Sequence, residues 1–110
     1  FPIHPLTHIN ENSLKTQTKP HQIVALNDQL AIGALSVLRA SGLRVPDDVQ
    51  VIGFDNIEES AYLQIPLTTM DSRLDWIAPT AVGCILGRIR GDAAEPKLLT
   101  TPSSVIVRSS

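Results

Sequence analysis

IVALNDQLAIGALSVLRASGLRVPDDVQVIGFDN, residues 23–56, decides the fold. It opens on Ile23-Val24-Ala25-Leu26, a short apolar run of the kind a buried parallel strand shows. Asn27 or Asp28 can then cap a helix, a side-chain oxygen accepting one of the free backbone N–H groups. Behind them Leu30, Ala31, Ala34, Leu35 and Leu38 recur at helical spacing, with Ile32 and Val37 widening the stripe. Gly42 follows the last periodic residue and suits the left-handed position just past a helix, and Pro46 confirms the stop. Val49 to Phe54 is a second apolar run and reads as a second buried strand, ended by Asp55-Asn56.

Downstream the punctuation continues. Residues 57–63 are expected to hold one or two helical turns, with Glu58 and Glu59 near the start where the helix dipole favours acid. Pro66 breaks that segment, and residues 67–70 have β character. Ser72-x-x-Asp75 resembles a capping box with Asp in the place of Glu. Ala81, Val82, Ile85, Leu86 and Ile89 then form one apolar helix face that Gly91 ends, and Pro79 lies inside the same segment. Two short terminal strands are expected over residues 97–101 and 105–108, separated by Pro102. Upstream, residues 1–22 form a poorly patterned leader holding His4, His8 and His21, with a short polar helix expected over residues 11–19. Strand, helix, strand, helix with connections this short is the grammar of a parallel sheet carrying helices on its faces, so the class is α/β.

Composition narrows the function classes. A chain of 110 residues is about one domain, and 43% hydrophobic with 18% charged residues can bury a core. Nine Lys+Arg against 11 Asp+Glu give a net charge of −2, which supplies no basic face for nucleic acid and no cationic stripe for a membrane. No apolar stretch approaches the roughly 20 residues of a membrane span, and no signal peptide is visible, so a cytoplasmic location is expected. Cys84 is the one cysteine, which excludes an internal disulfide, and its place beside an apolar stripe reads as a buried inert thiol. His4-x-x-x-His8 has metal-like spacing but encloses Pro5, and a solvated loop is the expectation. There is no Gly-x-Ser-x-Gly elbow, phosphate loop or paired-glycine dinucleotide fingerprint, so no catalytic residue, metal site or cofactor is expected.

In open α/β sheets ligands bind beyond the carboxyl ends of the strands. Asn27-Asp28 and Asp55-Asn56 fall there. An amide and a carboxylate engage vicinal hydroxyls with complementary donors and acceptors, so a polyol or nucleoside-like ligand fits better than an anion. Asp28 reads as a helix cap, and Asn56 as a turn former. Trp76 reads as a packing residue before a sugar-stacking one.

Residues 23–43, residues 45–56 (VPDDVQVIGFDN) and residues 66–69 (PLTT) resemble the lactose-repressor/galactose-repressor family of transcription regulators. The tail over residues 87–110, with Val107-Arg108-Ser109, is similar to that family's closing segment. The resemblance implies the C-terminal part of a periplasmic-binding-protein-like effector domain. Residues 23–70 and 103–110 would then belong to the C-terminal lobe, and residues 72–101 would cross to the N-terminal lobe. It implies effector contacts from Asn27 and Asp55. Ser72 stands where lactose-repressor-like members place a Gln contact, and Leu74 where they place an aromatic; both departures argue against a galactoside. It also implies a homodimer face around Ile32, Glu59 and Leu63. The implied function is effector sensing and dimerisation in a cytoplasmic repressor whose operator contacts come from a separate N-terminal domain, with no membrane role. The alternatives are a solute-binding protein of a sugar transporter and, further off, an α/β enzyme.

Overall fold

The computed structural model describes residues 21–110. Most of the leader, with His4, His8 and the helix expected over residues 11–19, lies outside the described residues. Four strands form one sheet in the order β1 (Gln22–Val24), β2 (Gln50–Phe54), β3 (Thr68–Asp71), β4 (Ser104–Ile106). The first three are parallel, with Ile23 opposite Val51 and Ile52 opposite Thr68. The fourth runs antiparallel and sets Met70 opposite Val105. The class is α/β as expected, with an antiparallel edge strand on a parallel sheet.

Helix α1 (Asp28–Ala40) crosses between β1 and β2. Its start is set by Asn27, whose Oδ1 accepts the Leu30 N–H at 2.8 Å. Its end is a Schellman turn: Gly42 sits at φ 74°, its N–H reaches Arg39 O at 3.0 Å, and the Leu43 N–H reaches Leu38 O at 3.0 Å. Ala31, Ala34 and Leu38 face the sheet and are buried. Ala31 and Leu38 pack with Val49, Val51 and Leu67 into the core, with Ile23, Leu35, Leu43 and Leu63 around it.

Gly53 in β2 is required by a close approach. A Cβ there would meet Leu67 Cδ2 at 2.9 Å and would collide with Asp28 Oδ1. The C-terminal Ser110 is built into the sheet as well. Its hydroxyl accepts the Thr68 N–H at 2.8 Å and donates to Val51 O at 2.6 Å, bridging β2 and β3.

Three local expectations are corrected. The strand over residues 97–101 does not form: the segment has no ladder partner among the described residues, and Thr101 instead donates its hydroxyl to Ser72 O at 2.8 Å. Ser72 does not cap α2 (Leu74–Ile89). Asp71 takes the Arg73 N–H at 2.8 Å, Arg73 turns into the left-handed region at φ 60°, and no side chain caps the helix. Asp75 is held by the Arg73 guanidinium instead, through two bonds of 2.9 Å. The third correction is Cys84, which is exposed because no residue of α2 is buried. Pro79 sits within α2 without ending it, and Gly91 stops the helix at φ 96°. No helix among the described residues is long and apolar enough to cross a membrane.

Candidate functional site

Because β1, β2 and β3 are parallel, the chain leaves all three at the same edge of the sheet. Asn27 follows β1, Asp55-Asn56 follows β2, and Ser72-Arg73-Leu74 follows β3.

Asp55 and Asn56 are the strained pair of this edge. Both have positive φ, 113° and 54°, values that cost a non-glycine residue on the order of 1–3 kcal/mol. The turn is held from the β3 side. Asp55 N–H donates to Met70 O at 2.9 Å, and Asn56 N–H donates to Thr69 Oγ1 at 3.3 Å. The Asp55 carboxylate is exposed and takes no hydrogen bond among the described residues. Asn56 differs: its Oδ1 accepts from Arg108 Nη2 at 2.8 Å, while Arg108 Nη1 binds Leu67 O at 2.8 Å. The C-terminal segment thus fixes the far side of the turn, a role for Arg108 that sequence reasoning had left unassigned.

Asn27 is half-buried, and its oxygen is spent on the helix cap. Its NH₂ group carries a pair of donors, and the carboxylate of Asp55, at the end of the neighbouring parallel strand, is an acceptor. Ser72 is half-buried, with its carbonyl engaged by Thr101. Leu74, exposed on the first turn of α2, brings apolar surface to the same edge. The hydrogen bond of the Arg73–Asp75 pair is the main reason Asp75 lies below the ordinary carboxylate value and Arg73 above the ordinary guanidinium value. The pair also feels the Asp71 carboxylate, which adds to the rise of the Arg73 value.

Asp28 is not the helix cap; Asn27 is. Asp28 is wholly buried, and its carboxylate accepts three hydrogen bonds: Ile57 N–H at 2.9 Å, Ser60 Oγ at 2.6 Å and Thr69 Oγ1 at 2.5 Å. The donors come from 29 to 41 residues away, so nothing in the local sequence announced them.

A second feature lies on the helix side of the sheet. Ile32, Leu35, Ser36, Arg39, Leu63 and Ile65 line an open groove of about 230 Å³. An acidic ledge of Glu58, Glu59 and Tyr62 adjoins it at Leu63. The structure therefore gathers Ile32, Glu59 and Leu63 along one surface. No group of three His, Cys, Asp or Glu side chains suited to a metal occurs among the described residues.

Residues 5–110 match the family described as periplasmic binding protein-like domain. A curated relative is the HTH-type transcriptional repressor PurR of Aliivibrio fischeri, 40% identical over 98 residues, 89% of this chain and 29% of the relative. Among solved structures, a LacI-type transcription regulator from Bifidobacterium animalis superposes with a TM-score of 0.79 at 44% identity, covering 83% of this chain and 32% of that one. The transcriptional regulator CelR in complex with cellobiose gives 0.77 at 32% identity, covering 82% and 28%. The lac repressor dimer bound to operator and the anti-inducer ONPF gives 0.75 at 34% identity, covering 82% and 31%. The chain spans less than a third of the length of each.

Proposed function

This chain belongs to the periplasmic binding protein-like domain family, as part of the effector-binding domain of a LacI-type regulator, and from that premise we propose that it is the sensing and dimerising portion of a sugar-responsive transcriptional repressor. The curated relatives carry the name of a transcriptional repressor, and one solved neighbour, a transcriptional regulator, is held in complex with cellobiose. The observation that carries the ligand reading is the Asp55 carboxylate. It stands exposed and takes no hydrogen bond among the described residues, on a turn whose strained backbone is held from both sides. Asn27 adds donors, Ser72 a hydroxyl and Leu74 apolar surface at the same edge, which suits a polyhydroxylated ligand with one apolar face.

In this reading residues 23–70 and 103–110 form one lobe, and residues 72–101 cross to another that completes the cleft. Ligand favours one arrangement of the lobes, and its differential affinity for the two arrangements drives the switch, with no chemical step. Ile32, Glu59 and Leu63 form the contact with a second copy. Operator DNA is read by a separate domain of the whole cytoplasmic protein, since this chain carries a net charge of −2 and no basic face.

The test is Asp55→Ala in the full-length protein. Hydrogen bonds to a charged group contribute about 1.5–3 kcal/mol, so affinity for the effector should fall roughly 10- to 150-fold by calorimetry. Unchanged affinity removes Asp55 from the site.

A further inference from the structure

The carboxylate of Asp28 ties together two surfaces that the reading above assigns to different tasks. On one side, Thr69 Oγ1 donates to Asp28 Oδ1 at 2.5 Å while accepting the N–H of Asn56 at 3.3 Å. Thr69 thus links Asp28 Oδ1 to the backbone of the strained turn that presents Asp55. On the other side, Ile57 N–H at 2.9 Å and Ser60 Oγ at 2.6 Å share Asp28 Oδ2. Ile57 precedes the 3₁₀ turn Glu58–Ala61 and Ser60 lies within it, and the turn leads into Leu63 and Ile65 of the groove. Asp28, Ser60 and Thr69 each have 0% exposure. Room for the carboxylate exists only because Gly53 has no side chain.

We propose that Asp28 is a positioning residue that clamps the Asp55–Asn56 ligand turn and the Glu58–Ala61 turn into one unit, so that effector site and dimer groove shift together. The inference rests on the assignment of Asp55 to the ligand and of the groove to a second copy. Its physical basis is the mismatch of roles. A surface turn with two positive-φ residues relaxes unless surrounding structure over-determines it. A carboxylate with both oxygens used by buried donors from two different segments supplies that determination and makes the segments interdependent. Coupling between sites is carried by such contiguous networks when they join elements that move.

Asp28→Asn keeps the volume and replaces one acceptor oxygen with a donor. Ile57 N–H cannot reverse, so the amide fits only by turning the Thr69 hydroxyl away from its present bond. Amide hydrogen exchange of the full-length protein, followed by mass spectrometry without ligand, reads the result. Residues 54–61 should exchange about tenfold faster or more, while residues 34–41 of α1 change less. Sedimentation of the same variant should show weaker self-association. Thr69→Val, an isosteric change that cuts only the ligand-side link, should loosen residues 54–57 and leave residues 58–61 nearer the parent rate. Exchange of residues 54–61 that is unchanged, or that rises only in step with residues 34–41, overturns the clamp. Parent-like self-association of Asp28→Asn overturns the coupling to the groove. The two readings fail separately: fast exchange in Asp28→Asn together with unaltered ligand affinity in Asp55→Ala leaves the clamp standing and removes Asp55 from the site.

Discussion

Helices α1 and α2 are both rich in apolar residues, yet one is embedded and the other bare. In α1, Ala31, Ala34 and Leu38 are buried against β2 and Leu67. In α2 no residue is buried, and Leu74, Val82, Ile85 and Ile89 are all exposed. The difference lies in where the partner comes from. α1 lies between two strands that pair with each other, so its apolar face meets the sheet made by its immediate neighbours in sequence. The chain leaves the sheet after β3, forms α2 and returns only at β4, and α2 buries no residue against any strand among the described residues. An amphipathic pattern states that a face will be covered; it does not state by what. The far face of the sheet repeats the lesson, with Val24 at 74% and Leu26 at 86% exposure in a run that reads as fully buried.

The comparison can be broken most easily at the core. Leu38→Ala removes a wholly buried side chain and should cost about 2–5 kcal/mol in urea unfolding of this chain, whereas Ile85→Ala on α2 should stay within about 0.5 kcal/mol. Equal costs would mean that α2 is packed after all. Repeating Ile85→Ala in a longer protein that carries the rest of the domain sharpens the contrast, because there the cost should rise into the range of core truncations. Next in size is Gly53→Ala, which drives a methyl group into Asp28 and Leu67 and should destabilise by about 1–3 kcal/mol, read by the shift of the urea midpoint.

The smallest effect belongs to the exposed pair at the start of α2. Asp75 is held below its ordinary value by Arg73, so its contribution is present above the ordinary carboxylate range and is lost as pH falls through the lowered value. Asp75→Asn should therefore remove a weak acid-side dependence of stability and leave neutral-pH stability nearly unchanged; a loss comparable to Leu38→Ala would contradict the surface placement.

Much of the segment from β1 to β2 was legible because its signals are local. The Asn27 cap, the stripe of α1, the Gly42 turn and the β2 run each depend on residues within a few positions of one another. What escaped was non-local. The role of Asp28 depends on donors in residues 57–69, and that of Arg108 on Asn56, 52 positions away. Ser72 carried a capping signal that lost to Asp71, whose carboxylate turns the chain at Arg73 one residue later. Residues 97–101 have strand propensity without a strand to pair with, and propensity alone does not make a ladder. At the sheet edge, sequence position located the pair, but only the hydrogen bonds separate Asp55, whose carboxylate takes none among the described residues, from Asn56, whose side chain is committed to Arg108.

In the proposed site Asp55 holds the ligand at the strand ends, and a crystal structure of the full-length protein with its bound effector would show it. An Asp55 carboxylate oxygen is expected within about 2.6–3.2 Å of a ligand hydroxyl, with the Asn27 amide donating to the same molecule. A ligand seated elsewhere, with the Asp55 carboxylate still facing solvent, would contradict it.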